Sequence, residues 1–315
     1  MLDDIGFYTM EEERVAGFSN TSPMWRCEIE ITDRCNFHCP YCRGLQAKGD
    51  MSLEKACALL DIWKAKNLRF SGGEPTLNKA LPEMVKYARK YGRVAVSSNG
   101  SQPWEVYKEL LACGVTDFSI SLDACCSATA ATMAGTRGAY VTVLGNIGRL
   151  AQTVYTTVGI VVTDDNLQEI QATISLAHSL GVADIRVIPA AQFGKVLSEI
   201  VLPQEILAAH PILKYRIGQA KRRIPVRGLS ATDTHKCWLV TDDSCVAGDE
   251  HYPCVIYMRE QGAPIGKVGE NMREERIAWR DKHNTHKDKI CAGNCLDVCR
   301  AFNNEVEKKE KATKK

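Results

Sequence analysis

Three cysteines follow the first predicted strand at a spacing that few protein sites use. Trp25–Ile31 alternates polar and apolar residues and predicts a strand, and Cys35, Cys39 and Cys42 come directly after it. A closed iron–sulfur cluster takes four Cys thiolates, so a loop with three predicts a cluster whose last iron stays open to another ligand. Tyr41 would pack beside this cluster and exclude water. The alternative is structural zinc, which favours four protein ligands in paired C-x2-C halves.

Strands and helices alternate along the first two thirds of the chain. A helix is predicted from its N-cap at Ser52 to Lys66, and another over Leu167–Leu180. Strands that alternate with such helices pair in parallel through right-handed crossovers, which predicts an α/β fold of six strand–helix units. A closed eight-unit barrel would need more chain than is available before residue 200. The other strands are predicted at Leu68–Ser71, Val94–Ser97, Thr116–Ser121, Val154–Val162 and Ala183–Ile188.

A Gly72-Gly73-Glu74 segment follows the second predicted strand, about thirty residues after the Cys loop. Together, the Cys-x3-Cys-x2-Cys loop and this segment resemble the radical S-adenosylmethionine (SAM) enzymes over roughly residues 25–200. The resemblance implies a partial (β/α)6 barrel that carries a [4Fe–4S] cluster with SAM on its open iron. It also implies reductive cleavage of SAM to methionine and a 5′-deoxyadenosyl radical, which then abstracts a substrate hydrogen.

The resemblance places the SAM contacts at the ends of the predicted strands. Gly72 and Gly73 lack a Cβ and allow backbone to approach a ligand, and Glu74 offers an acceptor for the ammonium group of SAM. Alternation puts Ser121 and Asp123 on the inward face, where polar groups are costly without a ligand. By themselves, Gly-Gly and Asn-Gly pairs are ordinary turn signals. The full set of expected cofactor contacts is Tyr41, Gly72, Gly73, Glu74, Ser98, Asn99, Ser121, Asp123, Asn166, Arg186 and Ile188.

Six further cysteines lie near the C-terminus. The Gly248–Cys254 segment resembles the turn-and-Cys segment of the SPASM and twitch extensions of this family, which carry auxiliary [4Fe–4S] clusters. Its Gly-to-Cys spacing is one residue longer than usual, and the closing Cys-x3-Cys-x3-Cys run is shorter than a full SPASM array. Six cysteines are too few for two closed clusters, so one twitch-like cluster is expected, with structural zinc as the alternative. Its expected ligands are Cys237, Cys254, Cys291 and one or both of Cys295 and Cys299, with Cys245 the weakest candidate.

The remaining cysteines have no metal-binding pattern. Cys27, Cys57 and Cys113 fall within predicted elements, where a free Cys behaves as a small hydrophobe. Cys125 and Cys126 follow the fourth strand at the mouth of the barrel, which allows either packing or a hydrogen-atom donor role. The histidines around the C-terminal cysteines are expected either to hydrogen-bond to residues that hold the metal or to lie on the surface, rather than to bind metal themselves.

Composition narrows the location and the partners. Of the 315 residues, 14 are Cys, and the chain has a formal net charge of +2 and an acidic start where a signal peptide would be basic. Without a secretory signal, so many cysteines indicate metal centres in a cytoplasmic protein rather than disulfides. The low net charge gives no field that demands nucleic acid, which stays open, and no apolar run is long enough to span a membrane. The partners implied are a substrate and a reductant such as flavodoxin or ferredoxin.

We predict five regions along the chain. An N-terminal extension (1–24) precedes the barrel (25–205), and a bridging segment (206–235) leads to the Cys-rich auxiliary-cluster region (236–303) and a charged, frayed tail (304–315). The basic stretch within the bridging segment is predicted to be a solvated helix face.

The substrate implied by the resemblance is a peptide or a small sugar-like or nucleoside-like molecule. Only some twenty-four residues precede the first strand, which weakens the leader-peptide version. A nucleotide or modified base is an alternative. A non-catalytic iron–sulfur or zinc module is another, but it leaves Gly72-Gly73-Glu74 and the inward polar strand ends unexplained. The sequence predicts neither the substrate nor the net reaction, be it oxidation, epimerisation, rearrangement or cross-linking.

Overall fold

Parallel strands and helices alternate in the computed structural model, which describes residues 12–44, 48–191, 197 and 200–313. All six predicted strands are confirmed to within one residue at each end, and each pairs in parallel with its neighbour. The predicted α/β class is therefore confirmed. The strands are β1 (Arg26–Glu30), β2 (Asn67–Ser71), β3 (Arg93–Ser98), β4 (Asp117–Ser121), β5 (Tyr155–Val162) and β6 (Asp184–Pro189).

The C-terminal region extends the same sheet. Strand β7 (Asp243–Ala247) pairs in parallel with β1, and β8 (Glu250–Tyr252) and β9 (Gly266–Lys267) follow as antiparallel neighbours. The order across the sheet is β6-β5-β4-β3-β2-β1-β7-β8-β9. The Cys-rich region is thus joined to β1, the strand that delivers the first Cys loop.

The crossover helices between the strands pack against the sheet. Ser52 caps α2 as predicted by accepting a hydrogen bond from the Lys55 backbone N–H, but the helix ends at Trp63 because Lys64 takes a left-handed conformation. In the described part of the chain, no helix is long and apolar enough to cross a membrane. The helices are α1 (Glu12–Ala16), α2 (Leu53–Trp63), α3 (Leu81–Ala88), α4 (Trp104–Ala112), α5 (Ser127–Ala134), α6 (Tyr140–Ala151), α7 (Ile170–Ser179), α8 (Gln204–Ala209), α9 (Pro211–Lys221), α10 (Val255–Arg259), α11 (Met272–Lys282), α12 (Lys289–Asn294) and α13 (Asp297–Thr313).

Alternation along the strands separates an apolar outer face from a polar inner one. Cys27, Ile29 and Phe70 point outward into the main core, where burial of apolar surface stabilises the fold. Arg26 of β1 and Arg186 of β6 point inward and line one shared cavity, although four strands separate β1 from β6 in the sheet. The sheet therefore curls into an open partial barrel.

Two of the expected regions differ in the structure. The bridging segment contains α9, which packs on β6 as the sixth crossover helix, and its Arg216 is buried against Asp297 at 2.6 Å rather than solvated. The charged tail is not frayed, because α13 runs through it to Thr313 and buries Val306. Residues 1–11 of the N-terminal extension and residues 314–315 of the tail lie outside the described residues.

Candidate functional site

The Cys loop leaves the C-terminal end of β1 and is held by backbone hydrogen bonds on two sides. On one side, the Gly73 N–H donates to the Thr32 carbonyl at 3.0 Å. On the other, the His38 N–H donates to the Ala134 carbonyl at the end of α5, at 2.8 Å. Cys35, Cys39 and Cys42 all line a cavity of about 880 Å³ inside the barrel.

Glycines are required where other segments meet this loop. A Cβ at Gly73 would lie 2.3 Å from the Arg34 carbonyl oxygen, and one at Gly72 would lie 2.4 Å from the Thr32 oxygen. Gly72 also has a φ of +140°, which side chains rarely adopt. We expected these glycines to make room for a ligand, but the close approach is to the backbone of the Cys loop itself. The Gly-Gly pair therefore sets the position of the cysteines.

Glu74 is fully buried and does not line the cavity. Its carboxylate accepts hydrogen bonds from the Asn99 N–H at 2.6 Å, the Ser98 hydroxyl at 2.9 Å and both the N–H and hydroxyl of Thr76 at 3.2 and 2.6 Å. Burial raises the pKa of this carboxyl. The expected ammonium acceptor is thus already occupied, and it joins the ends of β2 and β3.

Ser98 and Asn99 line the cavity, but their polar groups are engaged within the protein. The Asn99 amide donates to the Asn36 side chain of the Cys loop at 2.8 Å. The Ser98 hydroxyl lies between Glu74 and Tyr107, 3.0 Å from the Tyr107 oxygen. Both residues therefore support the loop from β3.

Tyr41 and Asp123 connect the Cys loop to β4 and β5. The Tyr41 hydroxyl donates to one oxygen of the Asp123 carboxylate, and the Val161 N–H donates to the other at 2.7 Å. Burial raises the pKa of Asp123 to about 6, against the effect of these two hydrogen bonds. Asn166, expected to touch the cofactor, is fully buried instead and donates to the Asp123 and Val161 carbonyls at 2.8 Å.

The other predicted contacts lie at two depths in the cavity. Ser121 and Ile188 line the cavity near the ends of β4 and β6. Arg186 also lines it, but from the middle of β6 rather than the strand end, and its guanidinium donates to the Ser119 hydroxyl. Burial, followed by the charge of Arg69, lowers the Arg186 pKa to about 10.

A polar layer inside the barrel was missed at the sequence level. Charged and hydroxyl side chains line the cavity below the Cys loop, where a barrel core would normally be apolar. The sequence does contain a signal for this polar layer. The even-numbered residues of β1 are polar, and so are the odd-numbered residues of β2 and β4. These residues include Arg26, Glu28, Arg69, Asp117 and Ser119, and Thr157 of β5 also lines the cavity.

The second cysteine group surrounds a smaller cavity between α10, α12 and α13. Five of the six C-terminal cysteines line it: Cys237, Cys254, Cys291, Cys295 and Cys299. Cys254 and Cys299 also line the large cavity, so the two sites adjoin. Cys245 is separate, fully buried on β7 with its sulfur 3.5 Å from the Met258 sulfur.

Other thiols and histidines have different surroundings. Cys125 and Cys126 lie against Glu169, with sulfur–oxygen distances of 3.5 and 3.7 Å, and neither lines the cavity as a hydrogen-atom donor would need to. His283 stacks on Trp279 with ring centroids 3.9 Å apart and lies 3.6 Å from the Cys291 sulfur.

The spacing of the loop thiols fits a cluster rather than one ion. Across the residues that the structure describes, only His283, Asp288 and Cys291 place three ligand atoms within 4.8 Å of one another. The cysteines of the first loop stand further apart, as expected for ligands of separate irons. All three border a cavity that can also hold a cofactor. Their loop therefore fits a cluster with one open corner.

The Radical SAM superfamily profile matches residues 29–177. A GTP 3′,8-cyclase from Agrobacterium fabrum is 24% identical over 263 residues, which cover 76% of this chain and 66% of that protein. An AdoMet-dependent heme synthase from Methanosarcina barkeri is 31% identical over 163 residues, 48% of this chain and 46% of that protein. A Fe-coproporphyrin III synthase of the same organism is 36% identical over 102 residues, so the chain spans only 26% of the length of that relative.

Solved structures show the same fold. Streptococcus suis SuiB bound to S-adenosylmethionine superposes with a TM-score of 0.60 at 12% identity, over 88% of this chain and 71% of SuiB. Native anSMEcpe with bound AdoMet gives 0.59 at 14% identity, over 92% of this chain and 98% of that one. The partial barrel of this chain therefore has the same fold as SuiB and anSMEcpe.

Residues 29–177 of the chain form a radical SAM domain, as the Cys loop and the Gly-Gly-Glu segment predicted. Members of this superfamily use a [4Fe–4S] cluster and SAM, and the C-terminal cysteines fit an auxiliary cluster in addition.

Proposed function

We propose that this chain is an enzyme that holds a [4Fe–4S] cluster on Cys35, Cys39 and Cys42, binds SAM beside it and modifies a small polar substrate inside the barrel. When bound, the reduced cluster supplies the electron that cleaves SAM to methionine and a 5′-deoxyadenosyl radical able to take a substrate hydrogen. The observation that supports this most is the placement of all three thiols on the wall of one large cavity.

The chain's own residues fix the position of the loop. Gly73 seats the loop on β2, and Asn99 holds it from β3 through Asn36. The Tyr41–Asp123 hydrogen bond joins it to β4, so the loop is anchored on three sides. Such anchoring keeps ligands in place before the cofactor binds, which lowers the ordering cost of binding.

We favour a nucleoside-like substrate over a peptide. The alignment with a GTP 3′,8-cyclase extends over 76% of this chain. The barrel interior also carries guanidinium, carboxylate and hydroxyl groups, which suit a polar molecule.

We further propose one auxiliary cluster in the second cysteine group. Five thiols surround that cavity, and a closed cluster takes four. Either one of Cys295 and Cys299 is not a ligand, or the two exchange as the fourth ligand. The same region offers a zinc alternative at His283, Asp288 and Cys291, whose ligand atoms lie close enough for one ion.

The test uses anaerobically reconstituted protein, SAM and dithionite, with flavodoxin or ferredoxin as the proposed cellular reductant. We expect 5′-deoxyadenosine by chromatography, and none from the single Cys35→Ala, Cys39→Ala and Cys42→Ala variants. Cys57→Ala, on the outer helix α2, is the matched control and should retain the activity. If reduced, iron-loaded protein binds SAM no better than the three loop variants, the proposal is wrong.

A further inference from the structure

Arginines dominate the charged groups that line the large cavity. Seven arginines line it, and four of them pair with acidic side chains. In the described part of the chain, no acidic side chain pairs with the other three, Arg69, Arg186 and Arg227. Buried or half-buried guanidinium groups without a counter-ion are unfavourable, because the arginine stays charged at any ordinary pH.

Arg69 and Arg186 belong to the same part of the barrel. Both lie on the inward face of their strands, and the Nε atom of each is buried without a hydrogen-bond partner. The nearest acid on the neighbouring strand is Glu28, which pairs in register with Arg69. Glu28 is shared with Arg259, whose guanidinium lies 3.8 Å from its carboxylate. Asp117 also lines the cavity, but its carboxylate is shared with Arg93 at 3.5 Å, so each acid near the pair already faces another arginine.

We infer that Arg69 and Arg186 form an anion subsite that binds a phosphate or carboxylate group of the substrate. The Ser119 hydroxyl, already in contact with Arg186, adds a neutral hydrogen-bonding group to this subsite. A guanidinium pair presents several N–H donors in planes that match an oxyanion. This inference rests on the proposed function, because it places a substrate in the cavity beside the Cys loop.

The depth of the pair assigns it to the substrate rather than to SAM. Arg69 lies three residues before Gly72, so it is roughly 10 Å below the strand end at which the Cys loop sits. A cavity of about 880 Å³ is large enough for SAM near the loop and a second small molecule below it. An anionic group held at this depth would place the rest of the substrate between the subsite and the loop.

The experiment measures equilibrium binding to the reconstituted, unreduced protein by calorimetry. Ribose 5-phosphate and glutarate are the two anionic probes, and ribose is the neutral control. Either anion should bind wild type, and Arg69→Gln and Arg186→Gln should each weaken it by about tenfold or more. The probe that binds more tightly identifies the anionic group of the substrate as phosphate or carboxylate. Arg149→Gln, on the outer face of α6 beside Trp104, is the matched control and should bind as wild type does.

A second measurement guards against misfolded variants. Because the two guanidinium groups repel each other, both Gln variants should melt at a higher temperature than wild type in the absence of anions. Unchanged anion binding in both variants, or binding of neither anion by wild type, would overturn the subsite. So would a loss of SAM affinity with no change in anion binding, since the pair would then serve SAM. Formation of 5′-deoxyadenosine tests the proposed function separately, because anion binding needs no reduced cluster.

Discussion

Replacing Glu74 with Ala should destabilise the fold more than it alters any ligand contact. The carboxylate is fully buried and accepts four hydrogen bonds from Thr76, Ser98 and Asn99. Its loss would leave those donors unpaired in the interior, which costs about 3 to 5 kcal/mol of unfolding free energy. Glu74→Gln keeps the shape but turns one acceptor into a donor, so we expect a smaller loss of about 1 to 3 kcal/mol.

Urea unfolding followed by circular dichroism measures both losses. Glu83→Ala is the control, because Glu83 lies on the exposed face of α3 and forms only a surface ion pair with Lys86. Iron content should fall in Glu74→Ala as well, since the carboxylate accepts from the Asn99 N–H and the Asn99 side chain in turn donates to Asn36 of the Cys loop. If Glu74→Ala instead unfolds like Glu83→Ala, keeps its iron and loses only SAM affinity, the carboxylate faces the ligand and our reasoning is refuted.

Three further predictions concern the loop, the second cysteine group and pH. Gly73→Ala should lower both iron content and thermal stability, because its methyl group would meet the Arg34 oxygen; wild-type iron content would contradict this. A variant without the three loop cysteines should retain about four irons per chain, and adding Cys254→Ala, but not Cys245→Ala, should remove them. Zinc in place of iron in that variant would make the second site structural. Asp123 has its pKa raised to about 6 in the folded state, so as pH rises from about 4 to 7 wild type should lose about 3 kcal/mol of unfolding free energy relative to Asp123→Asn. Parallel pH profiles for the two proteins would show that Asp123 does not titrate in this way.

The sequence predicted the fold well because each strand carries a local signal. Period-two alternation located β1, the helical patterns between short apolar segments located the five strands after it, and the Ser52 cap located the start of α2. The same alternation predicted that Ser121 lies on the inner face, and Ser121 does line the cavity, whereas Arg186 was expected there only from the resemblance. Alternation could not predict depth, because it indicates which face of the sheet a side chain occupies but not how far the residue lies from the strand end. Arg186 was therefore expected near the cofactor and lies deeper.

Buried polar residues were harder to interpret than exposed ones. Glu74 and Asn166 both follow strands, where a polar side chain is expected to face a ligand. Each instead satisfies backbone or hydroxyl groups of a neighbouring strand end, at distances that no one-dimensional pattern encodes. Likewise, the need for Gly73 arises from the Arg34 carbonyl, 39 positions earlier in the chain. Such contacts depend on the curl of the barrel and become visible only in three dimensions.

The protonation of the thiols explains how five cysteines can share one small cavity before any metal arrives. Burial raises the pKa of Cys254 to about 12 and that of Cys39 in the first loop to about 11, and it also raises the pKa of Cys237. At neutral pH these thiols are therefore neutral and do not repel one another. Cluster ligation needs thiolates, so each ligand must release a proton when iron binds. Assembly of both sites should thus be favoured by higher pH, by up to about tenfold per pH unit for each proton released, whereas the apo fold has no thiolate charges to accommodate.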